Sequence, residues 1–123
     1  MRFMANIAPM ARNRGAAVDR VFNALADPTR RSVVELLGSR PRRAGELAAA
    51  TRTSPPTMSR HLRVLLDAGI ATDERPKEDA RARVFHLRPE SMQAVNDWLE
   101  QLQKEWDAQL RSFKRHVEQR KKK

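Results

Sequence analysis

The sequence predicts a mainly α fold with a small β-hairpin and a long C-terminal helix. Three observations carry that expectation. Ser54 to Gly69 reads as one capped amphipathic helix. Ile70 to Leu87 holds two short strand-like runs around a polar turn. Met92 to Val117 repeats apolar residues at steps of three and four, which is the spacing of one helical face. With 123 residues, the chain has the size of a single domain with a modest core.

The elements follow in order. Met1 to Gly15 is basic and has no acid before Asp19. Asn6 and Pro9 interrupt its apolar part, so a secretion signal is not expected. Residues 1–17 are expected to be a disordered or arm-like N-terminus. Val18 to Ala26 places Val18, Val21, Phe22 and Leu25 on one helical face. Asp27 then caps a second helix that opens on Pro28 and runs to Gly38. Ser39 to Arg43 reads as a basic loop containing proline, and Ala44 to about Thr51 as a short alanine-rich helix around Leu47. Arg52 and Thr53 make a tight turn.

Ser54 is a good N-cap, since its hydroxyl can accept from free first-turn amides. Pro55 and Pro56 suit the first helical positions, and Gly69 suits a left-handed C-terminal cap. Met58, Leu62, Leu65 and Leu66 form the apolar stripe of this helix. Its other face shows Thr57, Ser59, Arg60 and Arg63, with His61 at the edge. Such a helix, anchored on one side and polar on the other, can enter a DNA major groove.

Ile70 to Arg75 and Ala82 to Leu87 read as the two strands of a hairpin, joined by the polar run Pro76 to Ala80. Arg75, Lys77, Arg81 and Arg83 lie near its tip and flanks. Pro89 opens the last helix, which could reach Arg120. Its apolar positions are Met92, Val95, Leu99, Leu102, Trp106, Leu110, Phe113 and Val117. A helix of that length spans roughly 45 Å at about 1.5 Å per residue, more than so small a domain can cover. With Trp98 and Trp106 both on it, pairing with a second copy is the economical reading. The alternative is that the tryptophans pack only on the chain's own first helix. The folded unit is expected over residues 18–119, with 120–123 a basic tail.

The net charge is +10, from 25 basic and 15 acidic residues, which favours a polyanionic partner such as nucleic acid. There is no cysteine, so disulfides, thiolate metal sites and cysteine nucleophiles are excluded together. No apolar run approaches the roughly 20 residues of a membrane span. A membrane partner is therefore not expected, and a cytoplasmic location is. No spacing assembles a nucleophile, a base and an orienting acid, and there is no glycine-rich phosphate loop. An enzyme is not expected, nor is a cofactor.

The order of elements, with these residues, resembles the ArsR-type family of winged helix-turn-helix transcriptional repressors. Three segments carry the resemblance. Asn23-Ala24-Leu25-Ala26-Asp27-Pro28-Thr29-Arg30-Arg31 is similar to the family's opening, and Gly45-Glu46-Leu47-Ala48 to the start of its scaffold helix. Ser59-Arg60-His61-Leu62-Arg63-Val64-Leu65, followed by Ala68-Gly69, is similar to its recognition helix and the exit to the wing. The resemblance implies a homodimer on a palindromic operator in double-stranded DNA, usually repressing transcription. The pattern Trp98-Leu99, Trp106, Leu110 resembles a branch in which the last helix dimerises. The chain departs from the family at Arg52, where glycine is common, at Thr53, where an apolar residue is common, and at Pro55, where many members carry a base-reading glutamine. Alanines follow Leu47 where metal-sensing members carry cysteines. His116 and Glu118, two residues apart, point away from one another, so no metal site is expected.

The residues expected at DNA are Ser54, Pro56, Thr57, Ser59, Arg60, His61 and Arg63 on the helix, and Arg75, Lys77, Arg81 and Arg83 on the hairpin. Arginine can read guanine through two parallel hydrogen bonds, and hydroxyls can meet bases or phosphates. For His61 two readings stay open: a place at or near DNA, or half-burial beside Leu65 with a backbone hydrogen bond. Arg81 and Arg83 share a strand face and are expected to straddle the DNA backbone or enter the minor groove; the alternative is a charged edge that discourages strand addition. The residues expected at the dimer interface are Val18, Val21, Phe22, Leu25, Val95, Trp98, Leu99, Leu102, Trp106, Leu110 and Phe113. Such an interface could also hold an apolar small-molecule effector, which the sequence does not identify. The competing functional reading is a non-catalytic winged-helix module that binds RNA or a protein.

Overall fold

A computed structural model describes residues 9–76, 78 and 82–121. Helix α1 is Pro9–Leu25, α2 is Pro28–Ser39, strand β1 is Arg42–Arg43, α3 is Ala44–Ala50 and α4 is Pro55–Asp67. Strands β2 (Ala71–Glu74) and β3 (Val84–Leu87) follow, then a 3₁₀ turn at Pro89–Met92 and helix α5, Gln93–Lys121. The first helix therefore starts well before Val18, and the arm expected over residues 1–17 is helical from Pro9 onward. The reason is local. Proline is at home in a first turn, and the following run is rich in alanine and arginine, with Gly15 its single poor helix former.

Two helix ends share one device. After α3, Arg52 takes a left-handed φ of 54°. Its amide bonds the carbonyl of Ala49 at 3.3 Å, and the amide of Thr53 bonds that of Ala48 at 2.9 Å. After α4, Gly69 takes φ 75°, and the amides of Gly69 and Ile70 bond the carbonyls of Leu66 and Leu65, both at 3.0 Å. Each pair is a Schellman closure that satisfies the last carbonyls of its helix. Glycine accommodates that geometry freely, whereas Arg52 holds it against the steric preference of an L-residue. Thr51 strengthens the turn. Its hydroxyl lies 2.7 Å from the carbonyl of Leu47 and 2.9 Å from the Thr53 hydroxyl.

Ser39 to Arg43 is not wholly a loop. Arg42 pairs with Phe85 and Arg43 with Val84, so the expected hairpin is a three-stranded antiparallel sheet in the order β1-β3-β2. A two-residue edge strand has too short a period to be seen in sequence. The core lies between this sheet and α1 to α4. Val33, Leu47, Met58, Leu65, Ile70 and Phe85 are its closed centre.

Helix α5 lies at the edge of this core, and none of its 29 residues is buried. Val95 packs against the core edge. Trp98 meets Phe22 of α1 edge-on, with ring centroids 5.5 Å apart. Further along the stripe Leu99, Trp106, Leu110 and Phe113 are open, 48%, 61%, 59% and 67% exposed, while Leu102 and Val117 are half-buried. Two residues expected at a dimer interface leave that set. Val18 and Val21 are 4% and 2% exposed, closed inside their own protomer, with no area left for a partner. Leu25 also packs against the chain's own core.

Candidate nucleic-acid interface

Helix α4 turns Met58, Leu62 and Leu65 inward and leaves Thr57, Ser59, Arg60 and Arg63 exposed. The inward stripe fixes the helix, so the outward face is presented on a rigid element. Pro55 and Pro56 occupy the first turn, and the Ser54 hydroxyl accepts from the Thr57 amide at 3.4 Å. The same hydroxyl donates to Thr57 Oγ1 at 2.9 Å. Ser54 is thus engaged as a cap and as a support for Thr57, which leaves Thr57's own proton free to donate outward. Among the described residues, neither Arg60 nor Arg63 has an ion-pair partner, so both guanidinium groups are available to an anion or a base edge.

The hairpin adds two arginines at a different angle. Arg83 Nε donates to Asp73 Oδ2, and Arg75 lies 3.9 Å from the same carboxylate oxygen. The Arg83 guanidinium also stacks 4.8 Å from the centre of the Phe85 ring, a cation–π contact. The structure therefore modifies the expected role of Arg83. Its charge is shared with Asp73 and its plane is held by Phe85, so a phosphate would have to compete for it. The other two hairpin residues expected at DNA, Lys77 and Arg81, lie outside the described residues.

A groove of about 620 Å³ runs between α4 and the hairpin. It is lined by Ser59 and Arg63 from α4, Arg75 and Arg83 from the hairpin, and Arg43 beside the start of α3. Glu46 and Asp67 also line it, so four arginines face two carboxylates and the lining is net positive. Glu46 is held below the ordinary carboxylate range, first by the backbone amide of Arg43 and then by Arg40. It stays ionised and offsets part of that field. Arg43 was not among the expected contacts. Its sequence signal is a bare Arg-Arg pair after proline, which reads equally well as a solvated loop.

His61 sits half-buried at the edge of the outward face. Neither reading from sequence describes its partner. Its Nδ1 lies 3.3 Å from Nη1 of Arg30, a side chain from α2. That contact is long-range in sequence and has no local signature. Asp27, the cap of α2, has its carboxyl lowered first by the backbone amide of Arg30 and next by that of Thr29. The charge of Arg30, and of His61 when protonated, acts in the same direction. Among the described residues, no helix is long and apolar enough to cross a membrane.

Known proteins are similar to this chain in sequence and in fold. A helix-turn-helix domain family matches residues 25–74, from the end of α1 through β2. The HTH-type transcriptional regulator Rv2034 of Mycobacterium tuberculosis is 43% identical over 77 residues, 63% of this chain and 69% of that protein. The transcriptional repressor SdpR of Bacillus subtilis is 38% identical over 58 residues, 47% of this chain and 64% of that protein. Among solved structures, an ArsR family transcriptional regulator is 31% identical with a TM-score of 0.69, covering 76% of this chain and 93% of that one. An ArsR-like regulator from Rhodococcus sp. RHA1 is 25% identical with a TM-score of 0.70, covering 81% and 92%. A homodimeric winged helix-turn-helix DNA-binding domain from Mycobacterium bovis, 24% identical, shares the fold with a TM-score of 0.62 over 82% of this chain and 90% of that one. Fold, polar helix face and kinship agree, and the chain belongs to the ArsR family of winged helix-turn-helix transcriptional regulators.

Proposed function

We propose that the protein acts as a homodimeric, sequence-specific repressor on a palindromic operator. The observation that carries the reading is the outward face of α4, where Thr57, Ser59, Arg60 and Arg63 are exposed together on a helix anchored by Met58, Leu62 and Leu65. In the major groove Arg60 offers two parallel donors to guanine, and Thr57 offers a single donor to a base or phosphate acceptor. Arg63 and Arg43 flank that helix and meet the sugar-phosphate backbone, while Arg75 and Arg83 are restrained beside it by Asp73. The open apolar stripe of α5 supports pairing with a second copy. Two-fold pairing would set two α4 helices about one DNA turn apart. The kinship with a Bacillus subtilis repressor supports repression as the outcome of binding.

Selection of bound fragments from genomic DNA, followed by footprinting, tests the proposal. The expected result is a protected inverted repeat in a promoter. Its affinity should fall with salt at a log–log slope of about −0.9 per phosphate contacted. Equal affinity for random duplex and for structured RNA, with no preferred DNA site, would overturn it in favour of an RNA- or protein-binding module.

A further inference from the structure

The geometry points to Arg30 and His61 as a positioning pair that sets the angle of α4 against the dimerisation scaffold, and with it the half-site spacing the protein selects. The inference rests on the DNA-binding reading above. It concerns two residues that reach the groove through other groups.

Arg30 joins three helices with one side chain. It rises from the first turn of α2. Its Nε donates to the carbonyl of Ala24 at 2.6 Å, and Nη2 donates to that of Asn23 at 3.2 Å. Both carbonyls belong to the last turn of α1, where free acceptors await a cation. The remaining arm, Nη1, meets Nδ1 of His61 on α4 at 3.3 Å. Helix α1 in turn carries Phe22, which meets Trp98 of α5. A continuous path of contacts therefore runs from the exposed stripe of α5, through α1 and the Arg30 fork, to the middle of the DNA-facing helix. The guanidinium is planar and its donors are fixed relative to one another, so the path transmits angle as well as distance.

The bridge has a protonation requirement. Arginine only donates, so Nδ1 must keep its lone pair and the imidazole must be neutral. Protonation removes the acceptor and sets two cations side by side. The charged groups facing His61 from α2 are Asp27 and Arg30, which act in opposite directions on the imidazolium. The end of α1 contributes carbonyls that Arg30 already occupies, and Arg60 is the charged neighbour on α4 itself.

The test uses the full-length chain and a set of duplexes carrying the selected half-site as inverted repeats at graded spacing. The wild type should favour one spacing. Arg30→Lys and His61→Ala should reduce that preference by about tenfold, the scale of one charge-assisted hydrogen bond, while preference for the half-site sequence itself is kept. His61→Asn, whose amide oxygen can take the place of Nδ1, should restore it. Circular dichroism keeps a misfolded Arg30→Lys from counting, and His61→Ala then carries the test. Unchanged spacing preference in folded variants would overturn the inference. So would a loss of half-site sequence preference in His61→Ala at unchanged spacing preference, the signature of a direct base contact. A wild type with no preferred inverted repeat would remove the DNA reading and this inference together.

Discussion

Replacing Trp106 by alanine should weaken the proposed dimer while leaving the protomer folded. Trp106 is 61% exposed in the single chain, and a tryptophan offers up to about 250 Å², so on the order of 150 Å² awaits cover. At about 25 cal/mol per Å² that is roughly 4 kcal/mol per protomer, an upper estimate. A two-fold interface counts the residue twice. If a third of the area term is realised, the pair contributes about 2.5 kcal/mol, or roughly 70-fold in the dimer dissociation constant. Sedimentation equilibrium over a concentration series reads this directly. The variant should shift the monomer–dimer midpoint upward by that factor, and far-ultraviolet circular dichroism should show α5 still helical. Because Trp98 remains against Phe22, near-ultraviolet signals from that pair should persist in the variant monomer. The reasoning is refuted if the folded variant dimerises as tightly as the wild type, or if the wild type is monomeric throughout.

Three further outcomes are expected. Asp73→Asn should free Arg75 and Arg83 for phosphate, steepening the salt dependence of DNA binding by about 0.9 per phosphate gained; an unchanged slope means Asp73 does not restrain them. Arg52→Gly should raise stability by about 0.5–1 kcal/mol, since relief of about 1–2 kcal/mol of left-handed strain exceeds the entropy cost of glycine; a lower Tm would show that Arg52 makes contacts worth more than its strain. Asp27 has a lowered folded-state pKa, caused first by the Arg30 amide, so its stabilising share is present above the unfolded carboxylate range and lost as pH falls through the folded value. An asparagine in its place still caps the helix without titrating, so the Tm gap between wild type and Asp27→Asn should shrink on acidification from neutral pH. A gap that stays constant would mean the charge contributes nothing.

What was legible in the sequence follows from range. The Ser54 to Gly69 helix is written in one continuous stretch, with cap, prolines, apolar stripe and closing glycine all within sixteen residues, and the structure bounds it at Pro55–Asp67. The hairpin is equally local, and its register pairs Asp73 with Phe85. By contrast, β1 is two residues long and becomes a strand only because β3 lies beside it. The helical start at Pro9 was obscured because basic, alanine-rich sequence fits both an arm and a helix. Val18 and Val21 share a face with Phe22 and Leu25 in periodicity, and the pattern does not say which side of that face meets the protomer's own core.

The harder losses are pairings across the chain. Arg30 and His61 are 31 residues apart, and Arg83 and Asp73 are ten apart. From sequence, Arg83 is assigned to DNA and Arg30 to no contact, because neither partner is marked by local spacing. The fold divides the arginines into two kinds. Arg60 and Arg63 stand without ion partners among the described residues and can meet a ligand unopposed. Arg30, Arg31 and Arg83 are already bonded, the first two capping the end of α1 and the third held by Asp73. A net charge of +10 therefore overstates what is available to phosphate. Part of that charge holds helices at fixed angles, and fixed angles are what a two-fold reader of DNA needs if base contacts at one half-site are to coincide with those at the other.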